Sequence, residues 1–272
     1  MNYYIQYMLL SNNRLSLLIA FITLIVCFPL RSQEFVIGVE DVPYYPLFDF
    51  HQEEATFTTE LLDQFARNKG YTFRYLPLPI KRFHKWLVDE DIDFKYPDNE
   101  RWLGNKTNPE NLVFSDSTLR LVGGTLVLPK HLDRKVSEMK VIGTLLGFYP
   151  TLWIDELNAG KVTIYENSST MVLIQQALRE QIDGLTLDPA VVEYHLQRLG
   201  RGGELVINTN YRHQLYDYHL STIKHADIIA QFNVFLKQNQ DFIQSLHKKY
   251  QLTDYRQYGE KLTNLVEHSA NK

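Results

Sequence analysis

The residues EFVIGVE at positions 34–40 form an apolar strand pattern, and TTELLDQFARNK at positions 58–69 follows with its apolar side chains on one helical face. A glycine then ends the predicted helix, and YTFRYL at positions 71–76 is typical of a second strand. A second helix over residues 80–88 leads to a third strand, DIDFKY, at residues 91–96. Strands that alternate with helices in this way predict a parallel sheet with helices on its faces.

The same alternation begins again in the second half of the chain. KVIGTLL at residues 140–146 and IDGLTL at residues 182–187 predict strands, and the second of these leads into a predicted helix at residues 189–199. Two further helices are predicted over residues 226–239 and 241–250. Two successive α/β units, each too small to stand easily alone, predict a protein with two lobes.

The predicted fold is therefore a two-lobed α/β architecture in which each lobe is a mostly parallel sheet flanked by helices. We assign residues 33–127 and 216–272 to the first lobe and residues 128–215 to the second. Ligands of open α/β sheets lie beyond the carboxyl ends of the strands, and pockets favour domain interfaces. A ligand cleft is therefore expected between the lobes.

The N-terminus carries an apolar run, LSLLIAFITLIVCFPL, at residues 15–30. It is shorter than the roughly 20 residues that a spanning helix needs, and Arg14 precedes it as a positive flank. These features predict a cleaved signal peptide over residues 1–32 and a periplasmic protein, with a retained membrane anchor as the alternative. Cys27 lies inside the run, so the mature chain would contain no cysteine and could form no disulfide.

Composition and motifs exclude several function classes. The formal net charge is -4, so no basic field points to nucleic acid. The sequence contains no HExxH, GxSxG, P-loop or GxGxxG motif, which leaves no sign of an enzyme or of a nucleotide cofactor. The histidines lack metal-ligand spacing, and His51 with Glu53 and Glu54 is interpreted as a solvated acidic patch. We predict neither a cofactor nor a metal.

Five local patterns occur along the chain in an order that one known family shares. They are EFVIGVEDVPYYP at 34–46, LPIKRFHKWLVDEDIDFKYPD at 78–98, LVFSDSTLRLVGGTLVLP at 112–129, QIDGLTLDPAVVEYHL at 181–196 and YHLSTIKHADIIAQFNVFLKQNQDFIQSLHKKY at 218–250. Together they resemble the family 3 extracellular solute-binding proteins, a periplasmic class that includes binders of polar amino acids. The resemblance implies the type II periplasmic-binding fold, a small-molecule ligand, a monomer and a membrane permease or sensor as partner.

The candidate ligand-binding residues follow from the ends of the predicted strands and from this resemblance. In the family, the position of Asp188 commonly faces a ligand ammonium, and an arginine near the position of Arg101 clamps a carboxylate. The full set of candidates is Tyr44, Tyr45, Arg82, Tyr96, Asp98, Arg101, Ser115, Phe148, Tyr149, Ser169 and Asp188.

Several candidates also have simpler interpretations. Asp188 precedes a proline and could serve as a helix N-cap, and Ser169 could do the same for another helix. Arg101 could be a surface residue, and it lies farther upstream than the family's arginine. Phe148 and Tyr149 stand where amino-acid binders usually have small hydroxyl residues, which favours a binding protein with a different ligand.

Three functions stay open at the level of sequence. The leading hypothesis is a periplasmic protein that captures a small polar solute for an ABC transporter. The second is a sensory binding protein that signals to a chemoreceptor or kinase. The third is a dehydratase-like enzyme on the same fold, although no acid–base pair is evident in the sequence.

Overall fold

The computed structural model describes residues 32–52, 54–103 and 109–252. The predicted signal peptide, apart from Ser32, and the apolar run at residues 15–30 lie outside these ranges. Within them, no helix is both long and apolar enough to cross a membrane. Apart from Gln33, the strands and helices described below belong to one compact unit, Glu34–Lys272.

The strands of the described ranges are β1 (Gln33–Glu40), β2 (Tyr71–Leu78), β3 (Phe94–Asp98), β4 (Val113–Phe114), β5 (Leu119–Gly123), β6 (Leu126–Val127), β7 (Val141–Leu145), β8 (Thr163–Asn167), β9 (Gly184–Leu185), β10 (Val206–Ile207) and β11 (Gln214–Thr222). The helices are α1 (Phe57–Lys69), α2 (Trp86–Asp89), α3 (Ile154–Asn158), α4 (Thr170–Leu178), α5 (Pro189–Arg198), α6 (Ala226–Gln238) and α7 (Gln240–Lys249). Four short 3-10 turns join them, at Ile80–Lys85, Glu100–Leu103, Pro129–His131 and Val136–Glu138.

The strands form two separate sheets, as the two α/β units of the sequence predicted. The first has the order β2-β1-β3-β11-β4, with β5 also paired to β11, and the second has the order β10-β6-β9-β7-β8. Parallel pairs join β1 to β3 and join β7 to both β8 and β9. The strands that carry the chain between the sheets pair antiparallel to their neighbours. Strand β6 pairs with β9 in the second sheet, and β11 pairs with β5 in the first.

These pairings also show where the chain passes from one sheet to the other. Strand β6, at Leu126–Val127, belongs to the second sheet, and β11 belongs to the first sheet from Gln214 onward. The sequence placed the changes of lobe after residue 127 and before residue 216. The assignment of whole segments to lobes, including residues 253–272 outside the described ranges, stays a prediction.

Helix α1 illustrates how local sequence fixes an element. Its first turn is capped by Thr56, whose hydroxyl accepts from the Thr59 N–H. Gly70 ends the helix with φ of 71°, a left-handed conformation that glycine adopts without strain. Between these ends, the apolar face buries Phe65 against Phe232 and Phe235 of α6, with ring centroids 4.9 and 5.5 Å apart. Aromatic packing of this kind anchors both helices to the first sheet.

Candidate ligand-binding cavity

A cavity of about 490 Å³ lies where the two sheets face each other. The loops that follow β1, β7 and β9 reach it from the carboxyl ends of parallel strands, which is where α/β sheets place ligands. The first-sheet side and its loops contribute Glu40, Tyr44, Ile80, Lys81, Phe83, His84 and Trp102. The second-sheet side contributes Thr144, Gly147, Phe148, Tyr149, Pro150, Thr151, Leu152, Thr186, Leu187 and Asp188, and the connecting segments contribute Gly123, Gly124, Gln214, Tyr216 and Tyr218.

Asp188 is a buried carboxyl at the wall of this cavity. Its Oδ1 accepts from the Ala190 N–H at 2.8 Å, so Asp188 is the N-cap of α5. Its own N–H donates to the Tyr44 hydroxyl at 2.7 Å, and the Tyr216 hydroxyl lies 3.3 Å from its Oδ2. Burial raises the pKa of Asp188 to about 6. The capping interpretation is therefore observed, and both carboxyl oxygens of Asp188 have a hydrogen-bond partner at the cavity wall.

Glu40 is a second buried carboxyl in the cavity, and it is not among the candidates expected from the sequence. Glu40 is the last residue of β1, and the alternation of side chains along the strand determines the face of the sheet on which its carboxyl lies. Among the described residues, no group donates a hydrogen bond to its carboxyl. Burial raises the pKa of Glu40 to about 8, the nearby Asp98 raises it further, and the Lys95 ammonium opposes both.

Behind Glu40, a buried ion pair supports the first-sheet wall. Lys95 Nζ lies 2.9 Å from Asp98 Oδ2, and both side chains are almost fully buried. The same ammonium lies 4.1 Å from the centre of the Phe83 ring, which lines the cavity. Burial lowers the pKa of Lys95, and the Asp98 carboxylate opposes this. Lys95 thus forms its ion pair with Asp98, and it does not neutralise Glu40 by direct contact.

Aromatic rings make up much of the remaining wall. Trp102 lies edge-on to Tyr218, with centroids 5.7 Å apart, and Tyr216 is 5.8 Å from Tyr218. Across the cavity, Phe148 packs edge-on against Tyr44 at 5.6 Å. Gln214, Tyr216 and Tyr218 alternate along β11, so all three face the cavity from one side of the strand. The wall therefore offers large, weakly polar surfaces with hydroxyl tips.

Positive charge is scarce at the cavity. Lys81 lines it but is exposed to solvent, and His84 is partly buried. None of the described residues that line the cavity is an arginine. Within the described ranges, no group of three or more His, Cys, Asp or Glu side chains is placed to hold a metal ion.

The structure brings together four of the residues proposed from sequence: Tyr44, Phe148, Tyr149 and Asp188 all line the cavity. Tyr45, the neighbour of Tyr44, points elsewhere and packs on the Tyr194 ring with centroids 4.4 Å apart. It lines a smaller pocket instead.

The two arginines among the candidates, Arg82 and the expected carboxylate clamp Arg101, lie outside the cavity lining. Arg82 is exposed, and its guanidinium lies 3.1 Å from Glu90. Arg101 donates to the Leu215 carbonyl at 3.2 Å and lines a separate surface pocket. Both stand on tight 3-10 turns, where adjacent residues face different directions, so their neighbours Phe83 and Trp102 reach the cavity instead.

Four further candidates serve the interior or a helix cap. Tyr96 is buried, its hydroxyl lies 3.0 Å from the Thr118 hydroxyl, and burial raises its pKa to about 12. Asp98 pairs with Lys95 as described above. Ser115 donates to the Asp116 carbonyl and accepts from the Leu220 N–H, and Ser169 is the N-cap of α4. None of the four lines the cavity.

The solved structures contain proteins of similar fold. An ancestral arginine-binding protein bound to arginine superposes with a TM-score of 0.63 at 15% identity, covering 80% of this chain and 98% of that one. An ancestral amino acid-binding protein described as a precursor of cyclohexadienyl dehydratase gives 0.61 at 16% identity, over 80% and 95% of the two chains. An arginine 3rd transport system periplasmic binding protein from Legionella pneumophila gives 0.58 at 12% identity, over 80% and 100%.

No protein-family model and no curated protein matches this sequence. At identities this low, likeness to solved structures establishes the fold alone. Together with the two sheets and the cavity between them, the superpositions confirm the fold that the sequence predicted. The chain has the two-lobed α/β fold of the periplasmic amino-acid-binding proteins.

Proposed function

We propose that this chain is a periplasmic solute-binding protein that captures one small molecule between its lobes and delivers it to a membrane permease. One observation carries the proposal: the cavity is walled by both sheets and by the segments that connect them. Its volume of about 490 Å³ is within the range of pockets that enclose small ligands. A ligand that contacts both walls favours the state in which they are close, since closure needs only differential affinity.

The proposal includes the cellular setting. The protein would leave the cytoplasm through the signal peptide at residues 1–32, act in the periplasm and work as a monomer. The fold shared with a periplasmic binding protein of a transport system supports this setting. A sensory partner in place of a permease would use the same cavity, and capture of the ligand-bound form by a permease or by a receptor separates the two roles.

A thermal-shift screen of the mature chain tests the binding role. The panel contains amino acids, amines, organic acids and small sugars, each at a concentration far above micromolar. A ligand present at 100 times its Kd stabilises the folded state by about 2.7 kcal/mol, which raises the melting temperature by a few degrees. A panel in which no compound changes the melting temperature would contradict the proposal.

A second candidate function is acid–base elimination in the same cavity. Two buried carboxyls with pKa values raised to about 8 and about 6 form the kind of separated pair that general acid–base catalysis uses. The fold shared with a protein described as a dehydratase precursor gives this candidate a second support. Turnover of a cyclohexadienyl carboxylate by the purified chain, followed by the absorbance of an aromatic product, tests it. A chain that binds solutes and turns none over is a binding protein only.

A further inference from the structure

The charged side chains of the cavity differ in how deeply they are buried. Glu40 and Asp188 are both buried at its wall, at 5% and 2% exposure. Lys81 is the lysine among the described lining residues, and it is exposed at the rim. A ligand that enters the cavity therefore meets two carboxyl groups inside and an ammonium outside.

The Glu40 carboxyl lines the cavity with no hydrogen-bond donor of its own among the described residues. In the part of the chain that the structure describes, no N–H or O–H group donates a hydrogen bond to it, and the nearest ammonium, that of Lys95, is paired with Asp98. An ionised carboxyl that leaves bulk water without a partner carries an unfavourable desolvation cost. A cationic ligand beside Glu40 would remove this cost, whereas an anionic ligand would increase it.

The aromatic wall suits the same ligand. Trp102, Tyr216 and Tyr218 form a contiguous cluster on one side, and Phe148 lies with Tyr44 on the other. Faces of such rings attract cations, and their area accommodates an apolar or aromatic ligand body. The protein already uses this interaction, since the Lys95 ammonium lies over the Phe83 ring.

Among the lysines and arginines of the described lining, a carboxylate on the ligand would find only the exposed Lys81 ammonium as a partner. The bidentate fork that recognises carboxylates belongs to arginine, and none of the described lining residues is one. Arg101 is held at the Leu215 carbonyl. A zwitterionic amino acid would therefore bring its carboxylate close to two buried carboxyl groups, with a lysine to pair it only at the solvent-exposed rim.

We infer that the cavity selects small organic cations that carry no carboxylate, of the arylalkylamine or alkyl-diamine class, over the α-amino acids with the same side chain. The inference rests on the proposed function and names its ligand class. Glu40 and Asp188 supply the counter-charge, and the rings of Trp102, Tyr216 and Phe148 hold the body of the ligand.

Matched pairs of ligands test this directly on the wild-type chain. Calorimetric titration at pH 8.5 compares tyramine with tyrosine, histamine with histidine, agmatine with arginine and cadaverine with lysine. We expect at least one amine to bind and to do so at least tenfold more tightly than its amino acid. Tighter or equal binding of the amino acids would overturn the inference and leave the proposed function standing. Absence of binding by every pair and by the wider solute panel would overturn both.

Two variants test whether Glu40 supplies the counter-charge to the bound amine. Glu40→Gln keeps the size of the side chain and removes its charge, and we expect it to weaken the binding of the best amine at least tenfold. Glu34→Gln is the matched control, because Glu34 stands at the other end of the same strand and is exposed. It should leave affinity unchanged. Equal affinities of the wild type and of the folded Glu40→Gln variant, checked by its melting transition, would contradict the role of Glu40.

Discussion

Two buried carboxyls in one cavity, Glu40 and Asp188, differ in what surrounds them at the scale of single residues. Asp188 accepts from the Ala190 N–H and lies near the Tyr216 hydroxyl, and these hydrogen bonds hold its pKa to about 6 against the effect of burial. Glu40 has no such donor in the described structure, and its pKa rises to about 8. The two carboxyls therefore differ in protonation state at neutral pH, because hydrogen bonds lower the pKa of Asp188 whereas the nearby Asp98 carboxylate raises that of Glu40 further.

The raised pKa of Glu40 makes stability depend on pH. The unfolded chain loses the Glu40 proton near pH 4.5, whereas the folded chain keeps it up to about pH 8. The contribution of Glu40 to the free energy of unfolding therefore falls as pH rises through this window, by about 1.4 kcal/mol per pH unit. Glu40→Gln should match the wild type near pH 4.5 and exceed it by about 5 kcal/mol once the pH is above 8.

Urea denaturation of both proteins at pH 4.5 and pH 8.5 measures this difference. Glu34→Gln serves again as the control, since its exposed side chain should change stability little at either pH. A stability difference between Glu40→Gln and the wild type that is the same at both pH values would show that the Glu40 carboxyl is not desolvated as described.

Helix α5 shows how one element serves both the fold and the site. Its N-cap, Asp188, is also a cavity-wall residue, so the capping and ligand-binding interpretations concern different atoms of one side chain. Oδ1 satisfies the first turn of the helix, and Oδ2 lies at the Tyr216 hydroxyl. The proline after Asp188 adds the fixed φ that suits the first helical position.

Two substitutions at Asp188 separate these roles. Asparagine keeps an acceptor for the Ala190 N–H and removes the charge, whereas alanine removes both. We expect Asp188→Ala to be about 1 kcal/mol less stable than Asp188→Asn, which is the usual worth of an N-cap. Both variants should lose the affinity for amines by a similar factor. Chemical denaturation at pH 7.5 and calorimetric titration measure the two quantities, and wild-type amine affinity in Asp188→Asn would remove Asp188 from the binding site.

At the scale of the whole molecule, contacts across the cavity connect the two sheets. Tyr44, in the loop after β1, accepts from the Asp188 N–H that precedes α5, and its ring packs on Phe148. Ile80 lies against Gly147, which has φ of 92°. A Cβ atom added at Gly147 would lie 3.3 Å from the Ile80 Cβ. These contacts bring the loops of both sheets together at the cavity mouth.

Tyr44→Phe tests whether the cross-sheet hydrogen bond contributes to closure. The substitution keeps the ring contact with Phe148 and removes the acceptor of the Asp188 N–H, at a cost of about 1 kcal/mol. We expect the ligand-free variant to have a larger radius of gyration than the wild type in small-angle scattering, and to bind amine about fivefold more weakly. Addition of a saturating amine should bring both proteins to the same size. Equal sizes without ligand would assign no closing role to this hydrogen bond.

Much of the fold follows from periodicity in the sequence. The alternation at residues 34–40, the helical spacing at residues 58–69 and the glycine that follows fixed β1 and α1 closely, because these patterns depend on neighbours a few positions away. Asp188 follows a predicted strand and precedes a proline, and this position likewise indicated both a helix cap and a place at the cleft. Tyr44, Phe148, Tyr149 and Asp188 follow the carboxyl ends of strands and line the cavity, and their role in ligand binding stays a prediction.

The remaining cavity residues depend on tertiary structure. Tyr216 and Tyr218 share one face of β11 by simple alternation, but only the antiparallel pairing of β11 with β5 and β3 determines which face meets the cavity. Trp102 and Arg101 are adjacent on one tight turn, and the orientation of that turn places the Trp102 ring, and not the Arg101 guanidinium, in the cavity wall. The sequence by itself thus determined the elements and the two-sheet architecture. The charge and aromatic character of the cavity were decided only by the register and packing that join residues far apart in the chain.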